Sequence, residues 1–246
     1  MNIFLFDGSI GGFLTCVYEY YYSNIKVFDI LREDRYTPNF CDTYLFIDSD
    51  INKYGKVRNA IKKKIGPNLI EEIYYCNLSD LNCHMDLLRY VDFAFKHGVN
   101  YHLYKQNELV IKIDKIIHKV LHEFSRFAGF ARFNRLTNDV LYSKIEPDHN
   151  ILPLLYNHFK DRLLGEKWII HDLKREIAIM CYEDEIEYIS LSRDYSAKIL
   201  ENSDDSFIEL LWRTYFKSIT IENRINLDLQ RKLMPKRYWN NLTEMK

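Results

Sequence analysis

At 246 residues the chain is longer than one small domain and short of two comfortable ones, and 47% hydrophobic with 28% charged residues excludes a disordered polymer. A formal net charge of −1 excludes a generally basic nucleic-acid coat, so any DNA contact has to use a local patch. The five cysteines (Cys16, Cys41, Cys76, Cys83 and Cys181) are scattered with no CxxC pair, the start MNIFLFDGS is no signal peptide, and no stretch nears the roughly 20 apolar residues of a membrane helix; the expectation is a cytoplasmic protein with reduced thiols.

In chain order, Asn2–Phe6 reads as a strand ending in the turn Asp7-Gly8-Ser9, followed by a helix from Gly12 to Tyr22 with Phe13, Val17 and Tyr21 on one face. Ile25–Ile30 and Thr43–Ile47 read as two more strands. Between Asn52 and Lys96 the apolar spacing is helical in three pieces, broken near Gly66-Pro67 and Leu78–Leu81, and Glu108–Phe124 continues that period. The character then changes. Phe130–Leu136 and Val140–Ile145 read as a hairpin around Thr137-Asn138-Asp139. A helix follows, with Asp148 or Asn150 as its cap and Pro153 in its first turn. Trp168–His171, Arg175–Tyr182 and Ile186–Leu191 make three strands, and Phe207–Ser218 a helix before the irregular tail LMPKRYWNNL. The resulting fold class is α+β: an antiparallel ββαβββ-like sheet covered by helices, with an N-terminal strand–turn–helix and helical region. The chain reads as a single module, 1–246, with sub-lobes 1–100 (α/β, mostly helical) and 101–246 (antiparallel α+β).

Candidate chemistry concentrates between Arg126 and Arg175, where arginines, histidines and aspartates stand among aromatics and aliphatics. His158 and Arg162 lie four residues apart on one helix face bordering the stripe of Leu152, Leu155, Phe159 and Leu163; together they suit a phosphate, and alone His158 suits a backbone carbonyl. His171 and Asp172 are adjacent in a strand, so they point to opposite faces and form no dyad; Asp172 suits a turn, close enough to pair with Arg175. Arg126, Arg132 and Arg135 accompany Phe127, Phe130 and Phe133, a mixture of guanidinium and ring that suits either nucleic acid or a solvated face. Asp7-Gly8-Ser9-Ile10-Gly11-Gly12 matches no phosphate-loop signature, so capping by Ser9 or Asp7 outweighs nucleotide binding, although a carboxylate there is placed to orient a base. Charge is uneven: residues 182–209 carry nine acids against two bases, and 213–246 carry eight bases against three acids, including Lys236 and Arg237. His158, His171 and Asp172 lack the spacing for a metal site.

DGSIGGFLTCVYE, RFAGFARF, the stretch from Ile145-Glu146-Pro147 through His158-Phe159 to Arg162, WIIHDLKR and MPKRYW occur in this order from Asp7 to Trp239. In these motifs the chain resembles a bacterial family described as probable DNA metabolism proteins. The resemblance implies a DNA-repair-associated protein encoded beside a radical-SAM enzyme, the module in some relatives being fused to a uracil-DNA-glycosylase-like domain. None of the five cysteines is spaced for an iron–sulfur cluster, so the cluster would belong to that partner. The chain departs from the family pattern at Asn226-Leu227, where a proline is expected after the asparagine.

Three functions follow as expectations. In the first, an accessory protein binds single-stranded or damaged duplex DNA through Arg126, Arg132, Arg162, Arg175, Lys236 and Arg237, needs no cofactor of its own, and works with the radical-SAM or glycosylase-like partner. In the second, a hydrolase or lyase uses His158 or His171 as base, oriented by Asp7 or Asp172. In the third, a scaffold docks its partner through the oppositely charged C-terminal blocks.

Overall fold

The computed structural model describes residues 1–137, 139–182, 185–201 and 206–245, and the chain divides into two compact units, Met1–Leu121 and His122–Lys246. The first unit opens with β1 (Asn2–Phe6), α1 (Ile10–Tyr22), β2 (Val27–Arg32) and β3 (Thr43–Ile47). The strands form a parallel sheet in the order β2-β1-β3. Phe4, Leu5 and Phe6 of the central strand are fully enclosed, the run of consecutive apolar residues that an inner parallel strand requires. Three helices follow where the spacing places them: α2 (Ile51–Lys64), α3 (Asn68–Leu78) and α4 (His84–His97). Gly66, at φ +123°, and Pro67 separate the first two, and Gly98, at φ +64°, ends the third.

Helix α5 (Glu108–Phe130) runs six residues further than the sequence spacing indicates, and RFAGF is helical. The expected strand Phe130–Leu136 shrinks to β4 (Asn134–Arg135). Val120, Phe124 and Phe127 continue the helical stripe at i, i+4 and i+7, so the burial period overrides the strand preference of the aromatics.

In the second unit the five-stranded sheet has the order β4-β5-β6-β7-β8, with β5 (Val140–Ile145), β6 (Lys167–Asp172), β7 (Ile177–Tyr182) and β8 (Glu185–Ser190). Three of its four pairings are antiparallel, as expected. The exception is β5 with β6, which run parallel because α6 (Leu152–Arg162) returns the chain to the starting end of the sheet. Pro153 sits in the first turn of α6, but Ile151 occupies the cap position, and neither Asp148 nor Asn150 does. Position 138 of the hairpin turn lies outside the described residues. The chain ends with α7 (Tyr195–Glu201), α8 (Ser206–Ile219) and α9 (Leu227–Leu233), then 3-10 turns that bury Tyr238 and Leu242. Asn226 caps α9, and Leu227 takes the first helical position, where a proline is tolerated equally well. Among the described residues no helix is long and apolar enough to cross a membrane.

Candidate nucleic-acid interface

The glycine-rich start of α1 is a capped turn. Ser9 Oγ accepts from the Gly12 N–H at 2.8 Å, and Asp7 Oδ1 accepts from the Ser9 N–H at 2.8 Å. A Cβ at Gly12 would fall 2.3 Å from Asp7 Oδ1, so the glycine admits the carboxylate rather than a phosphate. Asp7 belongs to the first unit, and the remaining candidates belong to the second.

His171 is wholly enclosed on β6. Its Nε2 lies 2.8 Å from the Leu191 carbonyl, which can only accept, so Nε2 carries the proton. Nδ1 then accepts from the Tyr142 hydroxyl at 2.8 Å. Both ring nitrogens are committed, and burial pushes the pKa below the usual histidine range. The ring is a neutral strut between β5, β6 and the chain after β8, with no lone pair free to take a proton from a substrate. Asp172 is equally enclosed. Its Oδ1 accepts from the N–H groups of Lys174 and Arg175 at 3.0 and 3.2 Å, and its Oδ2 binds Arg175 Nη1 at 2.6 Å. Burial raises its pKa while Arg175 opposes the shift, and its work is to hold the turn.

Four separated motifs meet at the loop Glu146–Asn150. Glu123 of α5, 4% exposed, accepts from the backbone N–H groups of Asp148 and His149 at 2.8 and 2.7 Å. Arg237 reaches Glu123 at 3.4 Å and pairs with Asp148. Arg175 donates to the carbonyls of Pro147 and Asp148 at 3.3 and 2.6 Å. Phe127 and Phe130 pack on Tyr238, with ring centroids 4.9 and 5.8 Å apart, and Arg126 Nη2 reaches the Lys232 carbonyl at 3.5 Å. Arg132 stands apart, with Nη2 2.6 Å from Glu244 Oε1. Arg135 holds Asp139 and Glu166. Lys236 is exposed, its Nζ 5.9 Å from the Trp239 ring.

Most of the arginines assigned to phosphates are therefore spent on the protein's own carboxylates. Arg132, Arg175 and Arg237 are structural cross-links first, because a carboxylate within about 3 Å competes directly with an incoming phosphate. Arg162 differs. Its Nη1 lies 3.2 Å from His158 Nε2, and among the described residues it holds no carboxylate. His158 stands edge-on to Phe124 of α5 at 6.1 Å, which anchors the pair beside the helix that carries Glu123.

Two features escaped the sequence reading. Glu123 is an acid on the stripe of Val120 and Phe127, and a charge at a core position is a visible sign of a buried network. Helix α2 carries Lys53, Lys56, Arg58, Lys62, Lys63 and Lys64 and no acid, a charge run readable without any structure. Among the described residues no group of three or more His, Cys, Asp or Glu side chains is placed to hold a metal ion.

A family model described as a domain of unknown function (DUF4130) matches residues 82–244, well over half of the chain. No curated protein and no solved structure matches it.

Proposed function

The chain belongs to the DUF4130 family, and from that premise we propose that it is a DNA-metabolism accessory protein that binds nucleic acid and presents a base to a separate enzyme of radical-SAM or glycosylase-like chemistry. The observation that carries this reading is the His158–Arg162 pair. It is a guanidinium on an exposed helix face, backed by an imidazole one turn away and engaged by no carboxylate among the described residues. Arg126, half-buried, and Lys236, exposed, likewise hold no carboxylate among the described residues and supply additional phosphate contacts. The convergence of Glu123 of α5, Arg175 of the HDLKR segment and Arg237 of the PKRYW segment on the EPDHN loop supports the same reading, since it ties these segments into a rigid frame. In the alternative, a self-sufficient hydrolase or lyase, one of the two expected bases is occupied, because both nitrogens of His171 are engaged, by the Tyr142 hydroxyl and the Leu191 carbonyl.

The test is fluorescence anisotropy of the purified chain with labelled single-stranded and duplex oligonucleotides across a salt series. Loss of one phosphate contact in Arg162→Ala lowers the salt slope by about 0.7 for a single strand or about 0.9 for duplex DNA. The substitution removes an exposed side chain, so a thermal melt should stay unchanged. An unaltered slope in Arg162→Ala removes this pair from the interface, and no binding at low salt ends the nucleic-acid reading.

A further inference from the structure

The strongest unassigned site lies in the first unit, between α1, α2 and α4. A cleft of about 490 Å³ is lined by Tyr18 and Tyr22 of α1, Lys56 and Lys64 of α2, and Phe95 and Lys96 of α4. Lys56, Ala60 and Lys64 recur at i, i+4 and i+8, so one face of α2 forms a wall of the cleft. Tyr18 and Tyr22, one turn apart on α1, stack with centroids 4.4 Å apart and planes inclined at 26°. Tyr22 leaves 70% of its surface open to solvent. Lys56 Nζ stands 5.6 Å from the Tyr18 ring, and Lys64 Nζ 6.0 Å from that of Phe95. The one acid in the cleft, Asp92, is already bound by Lys96 at 2.6 Å and by the Tyr21 hydroxyl at 2.9 Å.

The charge state of α2 separates this surface from the arginine network of the second unit. Of its six cations only Lys53 makes an ion pair, with Glu19; Lys56, Arg58, Lys62, Lys63 and Lys64 make none among the described residues. Five unpaired cations on one helix of a chain with net charge −1 form a concentrated positive field that repels itself unless a polyanion is present. Solvent-open ring faces beside them add a second requirement. A flat π-surface within reach of a base is satisfied by an unpaired nucleobase, whereas in a duplex the base faces are hidden in the stack.

We propose that the α1–α2–α4 cleft binds single-stranded nucleic acid, with an unpaired base stacked on Tyr22 and the backbone phosphates held by Lys56, Lys64 and their neighbours on α2. This deepens the nucleic-acid reading above and rests on it, but it assigns the strand to different residues in the other unit. The full chain is titrated with fluorescein-labelled oligo(dT), then photo-cross-linked to a bromodeoxyuridine-substituted strand and the cross-linked peptides mapped. Tyr22→Ala should weaken binding about 5- to 150-fold while Tyr22→Phe keeps it, the loss expected for one stacked base. Lys56→Ala and Lys64→Ala should each reduce the salt slope by about 0.7. Cross-links in the peptide that carries Tyr18–Tyr22 support the site. Cross-links confined to residues 122–246, with Tyr22→Ala binding as the parent chain does, overturn this proposal and leave the function proposed above standing. Duplex binding as tight as single-strand binding overturns the stacking assignment. Absence of any binding at low salt overturns both readings.

Discussion

At the scale of single residues, the two most enclosed histidines differ in how their polar atoms are satisfied. His171 has a partner on each nitrogen, whereas His84 stands edge-on to Phe6 at 4.9 Å with Nε2 buried and unpartnered. Burial, aided by the positive charge of Arg32 and Arg35, holds the His84 pKa down to about 3. The folded-state value lies below the unfolded one, so the stability linked to this group is complete above roughly pH 6.5 and is lost as the pH falls from there toward 3. One proton excluded by the folded state costs about 1.4 kcal/mol per pH unit in that window. His84→Phe keeps the ring contacts and deletes the orphaned nitrogen. Urea denaturation at several pH values should therefore show its slope flattened by about that amount, and a slope equal to the parent's would refute the assignment. That His84, between Cys83 and Met85, and His171, after the apolar run Trp168–Ile170, are buried could be suspected from sequence, but the partners of His171 come from Tyr142 and Leu191, 29 and 20 residues away, and no local spacing announces them.

At the scale of elements, α5 and the loop Glu146–Asn150 are tied by one carboxylate. Glu123 accepts two N–H groups, that of His149 buried and that of Asp148 part-buried, and borders Arg237, so Glu123→Ala strands both donors and leaves Arg237 with Asp148 as its carboxylate. We expect a loss of about 2–5 kcal/mol, measured by chemical denaturation, with Glu123→Gln recovering part of it because its amide oxygen still accepts a hydrogen bond. A loss near zero would mean that water replaces the carboxylate. The elements themselves were largely legible. The three helices between residues 51 and 97 and strand β3 fall where periodicity and the Gly-Pro break place them. The expected strand Phe130–Leu136 rests on the local strand preference of its aromatics, and the structure keeps only Asn134–Arg135 of it. The longer period set by Val120, Phe124 and Phe127 decides the matter, since burial over several turns outweighs local propensity. The parallel β5–β6 pair was missed for a related reason: strand direction depends on where the crossover helix packs, not on the strands' own residues.

At the scale of the whole molecule, a near-neutral chain divides its cations into two populations. Arg132, Arg175 and Arg237 in the second unit are held by carboxylates, whereas five cations of α2 in the first hold none among the described residues. Reversing two of the latter, Lys62→Glu with Lys63→Glu, should leave the melting temperature nearly unchanged, since exposed unpaired charges contribute less than about 0.5 kcal/mol. The same variant should lose most of its oligonucleotide affinity in the salt titration; retained affinity would show that the field of α2 plays no part. By itself the sequence determined the α+β class, nearly all the elements, the capped turn at Ser9 and the Asp172–Arg175 pairing, because these depend on residues within a few positions of one another. Only the tertiary structure decided which arginines are already neutralised, which histidine is locked, and which tyrosines and lysines share a cleft. Those outcomes depend on distances through space between segments up to 114 residues apart, as Glu123 and Arg237 are.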